Sequence, residues 1–396
     1  MTKKDAMNIL IAPDSFKGSL DAIKVCRAIQ SGFSQVFAEA TYTLLPMADG
    51  GEGTAAVLSY ALNGRWMMAC VHDPLMRPIR AKYLLLPDNT AVIEIAQACG
   101  LPLLTSAERN PLVTSSYGVG ELMIDALHNG AKRFIIGLGG SATNDAGLGM
   151  LMALGIRFYD KNDNQLSQGG AQLADLQRID TALLHPEVAE ILAQKEIAFE
   201  VACDVTNPLC GITGASAVFG PQKGANPQQV EILDQALANF ADIVARQNTQ
   251  SDDHLNHHNA AGAGAAGGLG FALIAFCGAK LQSGFEIVAE ATHLAAHIAK
   301  ADVVITGEGQ LDAQTLMGKV ASGVGIMARA EHKPIIAICG AIDNDHNALP
   351  FDIVMPSIQR LAPIDEILAT AYTSVQATAA NLAAAMRLGQ QMNDKW

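Results

Sequence analysis

Apolar positions along this chain follow two rhythms. Short unbroken apolar runs read as buried strands: Asn8–Ala12, Thr41–Ala48, Arg133–Leu138, Ile197–Ala202, Asp302–Thr306, Pro334–Cys339 and Asp352–Met355. Between them, longer stretches rich in Ala, Leu and Met predict helices. These are Leu20–Phe37 with Ser19 as its N-cap, Thr54–Leu62, Gly118–Asn129, Ala146–Leu154, Pro186–Lys195, Pro227–Gln247, Val288–Lys300 and the chain from about Pro363 on. One segment differs. Ile79–Leu86 and Ala91–Ile95 flank Pro87-Asp-Asn-Thr90 and read as a hairpin, and Leu166–Asp180 reads as irregular.

Alternating strands and helices define an α/β protein with a parallel sheet. The rhythm holds at both ends and is interrupted in the middle. A split domain follows: residues 1–75 and 287–396 share one sheet, and residues 76–286 are inserted. The chain's 396 residues favour two domains. Hydrophobic residues make up 50%, aromatics only 5%, so the core rests on aliphatic packing of helices on sheets.

The net charge of −13, without any Lys/Arg block, excludes broad attraction to nucleic acid. An anionic substrate would need positive charge supplied locally, by a few lysines, backbone amides or a metal. The seven cysteines are scattered, with no CxxC pair. Cys26, Cys99, Cys277 and Cys339 sit in apolar surroundings, as inert core thiols do. This argues for a reducing compartment and against disulfides or zinc. No run reaches the roughly 18 apolar residues of a membrane span. The charged start, Met1-Thr-Lys-Lys-Asp, leads into a strand, not a signal peptide. The expectation is a cytoplasmic protein, and a homo-oligomer is compatible with the sequence.

Five turns share one recipe, an acidic residue beside glycine at the end of an expected strand. They are Asp14-Ser-Phe-Lys-Gly-Ser19, Asp49-Gly-Gly-Glu-Gly53, Gly139-Gly-Ser-Ala-Thr-Asn-Asp145, Asp204–Gly211 and Gly307-Glu-Gly-Gln-Leu-Asp312. Turns need Gly or Asp, but not this repeated pairing. Ligands gather at the carboxyl ends of parallel strands, where these turns fall. Glycine lets a phosphate approach the backbone, and free N–H groups at a helix start favour an anion. Carboxylates beside such cradles match Mg²⁺-assisted phosphoryl transfer, in which a lysine offsets the remaining charge.

Lys17 is the first choice for that lysine, with Lys223 and Lys319 behind it. Asp49 and Glu52 could share a metal, do acid–base work or cap the following helix. Other signals carry less. Gly262-Ala-Gly-Ala-Ala-Gly267 matches the dinucleotide fingerprint but follows a His/Asn-rich loop instead of a strand, so close backbone packing or a substrate loop is the better reading. Asp160–Asn164 lacks the glycine and closing glutamate of a calcium loop and reads as a β-turn. His254, His257 and His258 read as a surface loop. There is no Walker A pattern.

Five blocks resemble the bacterial glycerate kinase family, type 1. They are Ile11-Ala-Pro-Asp-Ser-Phe-Lys-Gly-Ser19, Met47–Thr54, Gly137–Gly147, Asp204–Gly211 and Thr306–Asp312. The similarity runs in order from about Met7 to the final helix, without departures inside the blocks. The resemblance implies two α/β domains, one Rossmann-like and one inserted, with the active site in the cleft between them. It also implies ATP-dependent phosphorylation of D-glycerate, giving 2-phosphoglycerate, with the 3-phosphate as the alternative. A dehydrogenase or a small-molecule sensor is a remote rival.

On that reading Lys17, Asp49 and Asp145 are catalytic, with one of the two aspartates taking the hydroxyl proton or holding the metal. Ser15, Gly18, Ser19, Gly139, Gly140, Ser141 and Asn144 bind ATP. Asp14, Gly50, Gly51, Asp204, Asn207, Gly307 and Lys319 contact substrate or phosphate. Glu52, Glu308 and Asp312 serve Mg²⁺.

Overall fold

A computed structural model describes residues 6–193, 198–247, 257–311, 320–343 and 350–393. Asp312, Lys319 and His254, together with most of the His-rich loop, lie outside the described residues.

The chain divides into two compact units. The first comprises residues up to Asp49, Ala56–Ala61 and the chain from Phe285 on. Its five strands run in the order Ile353–Pro356, Ile335–Cys339, Val303–Thr306, Asn8–Ile11, Thr41–Leu44, and every pairing is parallel. The strands from the two chain ends interleave, because Ile9, Leu10 and Ile11 pair with Val303, Val304 and Ile305. Helix Ala22–Phe33 buries Val25, Cys26, Ile29 and Phe33 and packs beside the terminal helix Ala371–Asn393. A Cβ at Gly32 would lie 2.4 Å from the Gln376 carbonyl, so only glycine allows that approach.

The second unit holds Gly50–Ala55 and Leu62–Gly284. Its six strands run Lys280–Gln282, Phe199–Ala202, Arg133–Gly137, Thr90–Glu94, Pro78–Leu85, Arg65–His72. The first four are parallel and the last two antiparallel. The expected hairpin therefore forms, and it extends a parallel sheet. Strand Arg65–His72 had no reading in the sequence. It pairs along its whole length with Pro78–Leu85, which carries residues 65–72 into this unit and out of the terminal domain of 1–75. Its outward residues Trp66 and Met68 are exposed, so it lacks the unbroken apolar run of a buried strand.

Three further differences have local causes. Helix Ala22–Phe33 is capped by Asp21, whose carboxylate accepts the Lys24 N–H, and not by Ser19. The helix expected over Val288–Lys300 is two helices, Gly284–Ala291 and Leu294–Lys300, broken at His293 in the left-handed region. Part of the irregular stretch pairs Arg178–Asp180 antiparallel with Arg157–Tyr159. Cys26, Cys99, Cys277 and Cys339 are all buried, and burial pushes the thiols of Cys99, Cys277 and Cys339 up to about 12. Among the described residues, no helix is long and apolar enough to cross a membrane.

Candidate active site

In the first unit, the carboxyl ends of adjacent parallel strands bring charge together. Strand Asn8–Ile11 leads to Asp14, whose N–H donates to the Gly307 carbonyl (2.8 Å) beyond the neighbouring strand. The Ser15 N–H donates to the Asp14 carboxylate at 2.6 Å. The chain then folds back between Phe16 and Leu20, placing Lys17 and Gly18 at an exposed tip, with Gly18 at φ +81°. Ser19 donates its hydroxyl to Phe16 O (3.0 Å) inside this turn. Lys17 thus sits on a turn before the helix, not at the helix start itself.

The Lys17 ammonium reaches Asp49 Oδ2 at 3.2 Å. Burial pulls its pKa down, but Asp49, Asp14 and Glu308 outweigh that and hold it above its ordinary value. Asp14 is pushed up to about 7, first by burial and then by the charges of Asp49 and Glu308, against the opposing pull of Ser15 and Lys17. Glu308 is buried on the turn after Val303–Thr306. Gly309 faces Phe16 and Lys17 so closely that a Cβ would lie 3.3 Å from the Lys17 backbone nitrogen. Asp14, Lys17, Asp49, Gly307 and Glu308 therefore form one cluster. Its chemistry is a lysine ringed by three carboxylates, one of them poised to take a proton near neutral pH.

In the second unit, the opposite character prevails at the carboxyl ends of Thr90–Glu94, Arg133–Gly137 and Phe199–Ala202. Backbone dominates there. Gly50 and Gly51 lie directly on the exit of the central strand: a Cβ at Gly137 would lie 2.5 Å from Gly50 O, and one at Gly139 3.3 Å from Gly51 Cα. Gly50 also abuts Ala202 and Gly284, where a Cβ would meet atoms at 2.5 and 2.8 Å. Asp204 Oδ1 accepts the Gly284 N–H (3.1 Å), tying its loop to the same corner. Gly139 and Gly140 form an exposed turn with Gly140 at φ +72°. Among the described residues, the N–H groups of Gly139, Gly140 and Ser141 donate to no protein acceptor. That is the arrangement an anion seat needs.

Two expected site residues, Asp145 as catalytic and Asn144 as ATP-binding, are buried in the second unit. Asp145 is fully buried. Its Oδ2 accepts from the Ser116 N–H and hydroxyl (both 2.9 Å) and the Gly149 N–H (3.2 Å), and its Oδ1 from Gly147 (3.2 Å). Burial raises its pKa against those bonds. That carboxylate is enclosed, with all four bonds going to the protein's own donors. Asn144 is likewise buried, with its amide donating to Ser216 Oγ (2.9 Å). Asn207 donates to the Thr213 carbonyl (2.7 Å), and Glu52 stands exposed.

The sequence reading passed over Glu94. Helix Thr54–Leu62 starts after Gly53, in the left-handed region and without a side-chain cap. Glu94 Oε1 supplies the cap from another strand, accepting the N–H groups of Gly53 (3.1 Å) and Ala55 (2.9 Å). Burial nonetheless raises its pKa. One carboxylate ending the apolar run Thr90-Ala-Val-Ile-Glu94 was the signal that could have found it.

The dinucleotide-like glycines are packed shut. A Cβ at Gly264 would lie 2.2 Å from Pro208 O, and one at Gly267 2.1 Å from Thr143 O. This segment is a close-packing device, with no space for a pyrophosphate. Asp160 forms the expected turn, accepting N–H groups from Asn162 (2.7 Å) and Asn164 (2.9 Å).

The glycerate kinase family profile matches residues 9–387. The chain belongs to the glycerate kinase family. A glycerate kinase of Haemophilus influenzae is 46% identical over 381 residues, covering 95% of this chain and 98% of that protein. The glycerate 2-kinase of Escherichia coli K12 is 43% identical over 389 residues, covering 97% and 99%. A crystal structure from Salmonella typhimurium LT2, provisionally named glycerate kinase 2, shares 46% identity with a TM-score of 0.87 and covers 98% of this chain and all of that one. As a glycerate kinase the protein is an enzyme that uses ATP to phosphorylate glycerate.

Proposed function

We propose that the product is 2-phospho-D-glycerate. The E. coli relative, similar over nearly its full length, bears the name glycerate 2-kinase. The observation carrying the chemical part is Asp14, a buried carboxylate with a pKa near 7 beside a lysine that is held fully charged.

In this reading Asp14 accepts the proton of the attacking glycerate hydroxyl. Lys17 stabilises the charge on the phosphoryl group in transfer, and Asp49 holds Lys17 in place. The Gly139–Ser141 turn seats nucleotide phosphate on its unpaired N–H groups, beside Gly50 and Gly51. Asp145 and Asn144 keep that turn's base rigid and touch neither ligand.

Mg²⁺ accompanies ATP in such transfers and neutralises its phosphate oxygens. Among the described residues, no three His, Cys, Asp or Glu side chains are grouped to cage a metal. Mg²⁺ asks for less, because it keeps waters and takes one or two carboxylates beside the phosphates. Glu308 is the carboxylate of the first unit that would be offered to it.

The test is direct. The enzyme is incubated with MgATP and D-glycerate, and the product is identified by phosphorus NMR, whose chemical shift and proton coupling separate the 2- and 3-phosphates. A 3-phosphate would overturn the proposed regiochemistry.

A further inference from the structure

Lys223, a second-choice cation in the sequence that the proposed chemistry leaves unused, has an unusual setting. It ends the short 3₁₀ turn Pro221–Lys223, and the next residue, Gly224, takes φ +98° where a Cβ would lie 2.3 Å from the Arg109 carbonyl. Lys223 is only 2% exposed. Its ammonium donates to Ser141 Oγ at 2.9 Å and to the Thr143 carbonyl at 2.7 Å, both neutral acceptors.

A fully desolvated ammonium without a bonded carboxylate is destabilising, and cores seldom keep one without a use. Its surroundings show the use. Ser141 and Thr143 are the underside of the turn whose upper side presents the exposed Gly139 and Gly140. The titratable groups facing Lys223 are Cys99 and Asp145. Cys99 stays a neutral thiol, since burial pushes it up to about 12. Asp145 makes its hydrogen bonds to Ser116, Gly147 and Gly149 and none to Lys223. The lysine therefore has no hydrogen-bonded ion pair, and the nearby charge of Asp145 offsets only part of the effect of burial.

We propose that Lys223 is a positioning residue for phosphoryl transfer, a buried counter-charge that fixes the Gly139–Ser141 turn from beneath and awaits the phosphate bound above it. This rests on the reading of that turn as the nucleotide-phosphate seat. The lysine touches no ligand. It acts through Ser141 and Thr143 and through its field, which a low local dielectric strengthens. Burial lowers its pKa to about 8, so the charge is present at pH 7 and fades above pH 8.

The experiment measures ADP and D-glycerate affinities separately by calorimetry, between pH 7 and 9, for the intact enzyme and for Lys223→Met, Lys223→Arg and Gly140→Ala, with thermal melting as a fold control. In the unmodified enzyme, ADP affinity falls as pH rises through about 8. Lys223→Met weakens ADP by roughly ten- to a hundredfold, the scale of one unit charge at an intermediate dielectric, and leaves D-glycerate binding within about twofold. Lys223→Arg restores ADP binding and flattens the pH dependence, because guanidinium stays charged. A purely structural lysine would show lower melting temperatures without a pH-dependent ADP affinity. If Gly140→Ala weakens ADP while Lys223→Met does not, the lysine's role is overturned and the phosphate seat stands. If Gly140→Ala leaves ADP untouched, the seat itself is wrong. Should Lys223→Met fail to fold, a pH-independent ADP affinity in the unmodified enzyme would still overturn the proposal.

Discussion

The ammonium of Lys17 lies 3.2 Å from Asp49 Oδ2, joining the turns that follow the first two strands of one parallel sheet. The lysine side chain is about three-quarters exposed, so the pair adds little to stability, and its value lies in aiming the charge. Lys17→Met should reduce turnover by roughly 10²–10³-fold, as loss of a preorganised charge does, while changing the melting temperature little. Asp49→Asn should have a smaller effect in the same direction. Steady-state assays of ADP release check both, and an unchanged rate in Lys17→Met would remove the lysine from the mechanism.

The pH dependence should belong to Asp14. The group must be deprotonated to accept a proton, and its pKa is about 7, so activity rises as pH increases through that value. Asp14→Asn should abolish this limb along with turnover, by about 10²–10⁴-fold. Stability should move the opposite way. A carboxyl whose folded pKa is raised contributes stability that is full below its ordinary 3.8 and is lost as pH rises through about 7. The asparagine variant should therefore melt higher than the parent at pH 8 and close to it at pH 4. Melting curves at the two pH values decide it.

Glu94 should matter through the helix it caps. Glu94→Ala leaves two N–H groups at the start of Thr54–Leu62 without their acceptor, which should destabilise by about 1–2 kcal/mol. Because those N–H groups belong to the Asp49–Gly53 turn and its helix, turnover should fall as well. Glu94→Gln keeps an acceptor oxygen and should retain most of both. Equal damage from the two variants would argue that the charge, and not the cap, is what counts.

Asp145 separates scaffold from chemistry. Asp145→Asn turns an acceptor toward four donors into a group that must present its own N–H to some of them, so a loss of about 2–4 kcal/mol is expected. Ser116→Ala removes one of those donors and should cost about 1 kcal/mol. Activity per folded molecule should drop far less than in the Lys17 or Asp14 variants. Urea melts paired with active-site titration would show this. A folded Asp145→Asn enzyme without turnover would return the residue to catalysis.

The Gly262–Gly267 run yields a structural prediction. Gly264→Ala and Gly267→Ala place a Cβ 2.2 and 2.1 Å from backbone carbonyl oxygens, and Gly267 also holds φ +71°. Each should destabilise by several kcal/mol, beyond the roughly 1 kcal/mol of backbone entropy alone. A fluorescence titration with NADH should show no binding to the parent enzyme.

What could be read from the sequence was local. Apolar runs fixed most strands, because a strand buried on both faces must be apolar throughout, and the acid-and-glycine turns marked where ligands gather. The edge strand Arg65–His72 escaped because half its residues face solvent, and the break at His293 has no glycine or proline to announce it. Within the site, residue type announced chemistry but not role. Asp14, Asp49 and Asp145 look alike as letters. Burial raised Asp14 to a pKa near 7, an exposed lysine engaged Asp49, and four inward donors enclosed Asp145. Likewise Lys223 reads in the sequence as a second-choice cation behind Lys17, and only the fold shows it buried against Ser141 and Thr143. Desolvation and hydrogen-bond partners come from segments distant along the chain, so only the tertiary structure could decide which carboxylate works and which lysine lies beneath the site.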